Sequence, residues 1–118
     1  MFEARLKSKF RLDAMIRKAS SLGFAAYMAK SGFDDSGVII VKIAKADRKA
    51  CLYAPQRDFD GNLTWKNPIG ELHEKLEESQ IDAYIKRTSE YDDDCWVLEI
   101  DDMQDRFPAP PDHDFWTL

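Results

Sequence analysis

Cysteine is scarce in this 118-residue chain. Cys51 and Cys95 are the only two, and neither has a Cys-x-x-Cys partner or a closely spaced histidine. That excludes a disulfide-dense miniprotein and argues against a zinc site. Histidine is as rare, with only His73 and His113, and neither stands near a serine or cysteine in sequence. Five glycines and five prolines are too few for a fibrous or low-complexity chain. No apolar run approaches the roughly 18 residues that span a bilayer. The opening Met-Phe-Glu-Ala-Arg lacks the apolar stretch of a signal peptide. These absences lead to the expectation of a cytoplasmic protein with no membrane segment. In such a compartment the two thiols are expected to be reduced and packed as small hydrophobes, although a disulfide stays open if their strands are neighbours.

What is present suits one folded domain. Hydrophobic residues make up 44% and charged residues 33%, and a chain of this length buries roughly two-thirds of its unfolded surface. The net charge of −5 hides a polarity. Residues 1–57 hold 12 Lys or Arg against 5 Asp or Glu, and residues 58–118 hold 5 against 17. The halves are therefore +7 and −12. Such a polarity either pairs within the fold, forms two solvated faces, or steers a partner.

Periodicity places the elements. Leu12, Met15, Ile16, Ala19 and Leu22 recur at spacings of three and four and predict a helix over 8–22, with Gly23 as its C-terminal stop. Residues 24–30 read as a strand. Residues 38–43, Val-Ile-Ile-Val-Lys-Ile, give the strongest strand signal, and so continuous a β-branched run predicts a central strand buried on both faces. Residues 50–54 return as its hairpin partner, ended by Pro55, and 63–66 form a short strand near an edge. An acidic loop or loose helical turn over 71–78 precedes a helix over 80–91, with Ser79 and Asp82 as a capping box. A last strand over 95–101 turns Trp96, Leu98 and Ile100 inward and Val97, Glu99 and Asp101 outward. The order is α-β-β-β-β-α-β. The expected fold is α+β: one mostly antiparallel sheet of four to five strands with two helices on one face, the last strand entering mid-sheet. Residues 1–102 form the domain. Residues 103–118, acidic and rich in proline, read as a loosely docked tail.

Three stretches carry a family resemblance. They are Arg5-Leu6-Lys7-Ser8-Lys9-Phe10, the run from Asp35 to Lys42, and Ile81 to Ile85 continuing to Tyr91–Asp101. The last, with its Asp-x-x-x-Trp-Val-x-Glu-Ile-x-Asp arrangement, is the most specific. Over about residues 5–102 the chain resembles DUF1491, small proteins of unknown function found mostly in alphaproteobacteria. The resemblance implies a bacterial cytoplasmic domain. It implies no activity and assigns no catalytic residue.

The reactive side chains each admit a chemical and a structural role. Asp34, Asp35, Asp58, Asp60, Glu99, Asp101 and Asp102 could hold a divalent cation if their loops converged. Asp58-Phe59-Asp60-Gly61-Asn62 lacks the glutamate of a calcium loop, whose place Ile69 takes, and Asp and Gly are ordinary turn residues. No metal or cofactor is expected on this reading, and neither is a thiol–imidazole nucleophile. The basic patch Lys9, Arg11, Arg17 and Lys18 could grip phosphates, against an acidic balance and no basic aromatic strand. Phe10, Tyr53, Tyr84 and Trp96 are expected in the core. Trp65, with Phe115 and Trp116 in the tail, are expected on the surface as a docking segment, unless the tail folds back. The leading expectation is a non-catalytic module that binds a protein partner or a second copy. The alternatives are nucleic-acid binding by the basic helix and a small metal-dependent enzyme using loop carboxylates.

Overall fold

The computed structural model describes residues 7–32 and 37–118. At its centre lies β2 (Ile39–Ala44), buried at all six positions. Side chains alternate across a strand, so β2 offers two apolar faces. Ile39, Val41 and Ile43 meet Leu12, Met15 and Ala19 of α1 (Ser8–Ser21). Ile40 belongs to a second cluster with Ile81 of α2 (Glu78–Tyr91). The helices therefore lie on opposite faces, which corrects the expectation of one shared face. The unbroken β-branched run already required two covers.

β6 (Trp96–Asp101) runs parallel to β2, with Ile39 opposite Trp96. It sits mid-sheet, flanked on its other side by antiparallel β1 (Ala26–Lys30). β3 (Lys49–Arg57) pairs antiparallel with β2, and β4 (Leu63–Lys66) with the C-terminal half of β3. β5, only Leu76–Glu77, pairs with the start of β3. The order is β1-β6-β2-β3-β4 with β5 on β3. This is an α+β fold of six strands with one parallel pairing, one strand more than expected, because 71–78 contains β5. Among the described residues no helix is long and apolar enough to cross a membrane.

Several local expectations change for physical reasons. Val97 is 1% exposed rather than outward, since α2 covers that face. β3 continues past Pro55 to pair Pro55 with Trp65, near the sheet margin where a missing N–H is tolerated. No capping box forms on α2. The helix begins ahead of Ser79, the Arg48 carbonyl accepts the Glu78 amide at 2.8 Å, and Asp82 reaches Lys42 instead. Phe10 is 65% exposed, not core. Gly23 ends α1 as expected, with φ +94° and a bond from the Phe24 amide back to the Ala19 carbonyl at 3.0 Å. Both cysteines are buried and free. Cys51 joins the α1-side cluster and Cys95 the α2-side cluster, so the sheet separates them.

The segment after Met103 is not loosely docked. Phe107, Phe115 and Trp116 enter the α1-side core, with Phe115 and Trp116 on a short 3-10 turn. Asp102, 2% exposed, anchors the turn into this segment. Its carboxylate accepts from Lys45 Nζ at 2.6 Å, from the Arg106 amide at 2.8 Å and from the Phe107 amide at 2.9 Å. Burial pushes this carboxyl up, but the two amides and the ammonium outweigh that and hold its pKa below the usual value. Lys45 also meets Asp105, which Lys75 grips from outside.

Candidate functional site

α1 presents two neighbouring stripes. Leu12, Met15 and Ala19 point into the core. Turned slightly from them, Arg11, Ala14 and Lys18, spaced by three and four, form one wall of a half-open groove of about 470 Å³. Phe115, Thr117 and Leu118 form the other wall, and Leu63 of β4 also lines the groove. A second hollow of about 450 Å³, bordered by Trp65, Pro110 and Trp116, shares Leu63 and Leu118 with it.

The groove is mainly apolar, and its two cations differ. Lys18 Nζ lies 3.7 Å from the Asp114 carboxylate, both side chains being well exposed. Arg11 is half-buried, its pKa is lowered by that burial, and no acceptor pairs with its guanidinium among the described residues. Of the sequence-predicted basic patch, Arg11 and Lys18, seven residues apart, meet in this groove. Arg17 and Lys9 are exposed and outside it, and Lys9 pairs with Asp13 at 2.7 Å.

The predicted docking aromatics lie inside. Trp65, Phe115 and Trp116 are each less than a tenth exposed. Trp65 Nε1 donates to the Trp116 carbonyl at 2.7 Å, and Trp116 Nε1 to the Pro108 carbonyl at 2.7 Å. The Trp116 ring meets Tyr53 and Trp65 edge-on at 5.1 Å. Exposure was expected because Pro and Asp flank these residues. It is overturned because both indoles find backbone carbonyl acceptors within the fold, and Phe115 contributes the groove's inner wall.

The carboxylates do not converge. Asp34 and Asp35 lie outside the described residues. Asp58 Oδ1 accepts from the Asp60 and Asn62 amides at 2.9 Å each, as a turn residue does. Glu99 lies 3.6 Å from Lys42 Nζ, which also meets Glu78 and Asp82. Asp101 is exposed, and Asp102 serves the anchor. Among the described residues no group of three or more His, Cys, Asp or Glu could hold a metal ion. The nearest thing to a thiol–imidazole pair is Cys51 and His73. There the thiol meets the His73 carbonyl at 3.7 Å, while the imidazole Nδ1 meets Tyr53 Oη at 2.9 Å. Burial raises the Cys51 pKa, which disfavours a thiolate. His113 accepts from the Phe115 amide at 3.0 Å and so shapes the 3-10 turn.

Three residues have roles that the sequence did not reveal. Lys42 is the one polar break in the β2 run, and Asp102 is the final aspartate of the Trp-Val-x-Glu-Ile-x-Asp pattern. Phe59, a lone aromatic in a polar turn, is fully exposed.

A family model described as "Protein of unknown function (DUF1491)" matches residues 6–109. The chain belongs to the DUF1491 family. The match takes in α1, the sheet, the Asp102 anchor and Phe107, and it stops before Phe115, Leu118 and the rest of the groove's second wall. A crystal structure of a DUF1491 family protein from Caulobacter crescentus CB15 is 30% identical, with a TM-score of 0.72, covering 83% of this chain and 89% of that one. An NMR structure of a DUF1491 family protein from the same organism is 32% identical, with a TM-score of 0.69, covering 86% and 89%. The solution structure of protein Atu0922 from A. tumefaciens is 25% identical, with a TM-score of 0.67, covering 89% and 99%. None of the curated proteins compared with the chain matches it.

Proposed function

We propose that this DUF1491 protein is a non-catalytic binding module whose groove takes an apolar side chain of a protein partner, with a neighbouring carboxylate of that partner against Arg11. The observation that carries this reading is a guanidinium on an apolar wall with no partner among the described residues. Half-burying a charge costs free energy, and among the described residues no carboxylate or other acceptor returns it. A carboxylate fits that vacancy bidentately, and the groove's apolar walls suit a Phe- or Leu-sized side chain beside it. The nucleic-acid alternative has less support, since Lys9 pairs with Asp13 and Lys18 lies against Asp114. The metal-enzyme alternative loses Asp58 to a turn, Glu99 to Lys42 and Asp102 to Lys45.

The test is a titration of isotope-labelled protein with the peptide acetyl-Glu-Phe-Glu-amide, followed by NMR. Amide shifts at Arg11, Met15, Leu63 and Leu118 are expected. Weaker binding is expected for acetyl-Gln-Phe-Gln-amide and for Arg11→Gln. If the groove resonances stay still at millimolar peptide, or if the neutral peptide binds as well as the acidic one, the reading is wrong.

A further inference from the structure

We infer that the partner entering this groove is a second copy of the same chain, which inserts Phe59; the inference rests on the groove reading above. Phe59 stands at the tip of the β3–β4 hairpin and is fully exposed. Its loop is held by several bonds. The Asp58 amide donates to the Asn62 carbonyl at 2.9 Å, the Gly61 amide to the Asp58 carbonyl at 3.0 Å, and Arg57 Nη1 to the Gly61 carbonyl at 2.6 Å. Gly61 adopts the φ of +85° that the turn requires. The aromatic ring is thus presented on a preorganised tip, and little ordering opposes its docking.

The tip and the groove are complementary. Phe59 is flanked by Asp58 and Asp60, both exposed, and the Asp60 carboxylate has no partner among the described residues. The groove offers an apolar hollow of about 470 Å³ with Arg11, unpaired among the described residues, at its wall and Lys18 at its rim. The two are also neighbours in the fold, since Leu63, which lines the groove, follows the tip at once in the chain. Two copies related by a two-fold axis can therefore exchange tips, and the assembly closes at two. The charge polarity of the sequence, basic in α1 and acidic from Asp58 onward, acquires a purpose in this exchange. Contact through two loop tips is small, which predicts a weak, concentration-dependent dimer rather than a permanent one.

Sedimentation velocity of the full chain over a concentration series tests this. The wild type is expected to self-associate reversibly, and Phe59→Ala to weaken that at least tenfold while leaving the melting temperature unchanged. Arg11→Asp is expected to weaken it likewise, and Arg11→Asp with Asp60→Arg in one chain to restore it, which loss of fold could not do. A wild type that sediments as a monomer at millimolar concentration, or a Phe59→Ala variant that associates as well as wild type, overturns the inference. If acetyl-Glu-Phe-Glu-amide still shifts the groove resonances in that case, the groove reading survives and the partner is another protein. If the peptide fails as well, both fall.

Discussion

Replacing Asp102 by asparagine should destabilise the protein by about 3 kcal/mol. The carboxylate, almost wholly buried, accepts two backbone amides and the Lys45 ammonium. A hydrogen bond to a charged group contributes about 1.5–3 kcal/mol net, and breaking a buried ion pair costs about 3–5 kcal/mol. Asparagine keeps one acceptor oxygen and Asp105 still holds Lys45 at 2.8 Å, which places the loss at the low end. Against a total stability of about 5–15 kcal/mol that is a large fraction, and the midpoint of thermal unfolding should fall by roughly 10 °C. Urea denaturation at neutral pH measures it. Lys45→Met on top of Asp102→Asn should recover part of the loss, because the buried ammonium then disappears too. The pH dependence has a definite sign. The folded-state pKa of Asp102 is lowered, so its contribution is complete above the unfolded value near 3.9 and fades as pH falls through the folded value. Asparagine does not titrate, so the gap between wild type and variant should close on acidification below about pH 4. A loss under about 0.5 kcal/mol at neutral pH, or a gap that does not narrow in acid, would refute the anchor.

Other consequences are simpler to state. Deleting 104–118 should abolish cooperative unfolding and the near-ultraviolet circular dichroism of the folded protein. Phe107, Phe115 and Trp116 leave the core together, at about 3–5 kcal/mol for each large aromatic. A truncated chain that melts cooperatively near the wild-type temperature would contradict this. Lys42→Met should cost about 2–3 kcal/mol at neutral pH, since Glu78, Asp82 and Glu99 lose their shared counter-charge. Burial lowers the Lys42 pKa, but the bonds to Asp82 and Glu78 outweigh it and raise the pKa overall. The wild-type advantage should therefore persist through neutral pH and vanish only in strong alkali, as chemical denaturation across pH can show. Cys51 and Cys95 should resist a disulfide-exchange reagent in the native state and react fully in urea, because burial raises both pKa values. A disulfide in the purified protein, or fast native labelling, would count against the two-sided sheet.

The α+β class, the central place of β2, the insertion of the last strand and the Gly23 stop were legible because each is a local pattern with one cheap solution. What was not legible depended on what lies opposite. Alternation in 96–101 reveals a period, yet Val97 reads as outward until α2 is known to cover it. β5 is two residues long and has no propensity signature at all. Phe115 and Trp116 sit among Pro and Asp, which describes a surface loop in composition. Their burial depends on Trp65, Tyr53 and the Pro108 carbonyl, 50 or more residues away in the first two cases. Of the groove, sequence supplied Arg11 and Lys18 as basic helix residues and missed that they share a face with apolar neighbours. Their spacing of seven held that signal, diluted by Lys9 and Arg17 on other faces.

The C-terminal segment ties stability to binding. Its inner side completes the core through Phe107 and Trp116, and its outer side supplies the groove wall through Leu118 and part of Phe115. Asp102 lines neither hollow, yet it holds the turn that leads into this segment. A loosened anchor therefore lowers the population of the binding-competent wall, and apparent affinity falls by that fraction. Asp102→Asn should weaken the acidic peptide without changing any residue it touches, whereas Arg11→Gln should weaken it with the melting temperature unmoved. By reciprocity, saturating peptide should protect the amides of 105–118 from hydrogen exchange in Asp102→Asn more than in wild type. Equal affinity for the Asp102→Asn variant, measured while its C-terminal amides exchange faster than wild type, would show that wall and groove are independent.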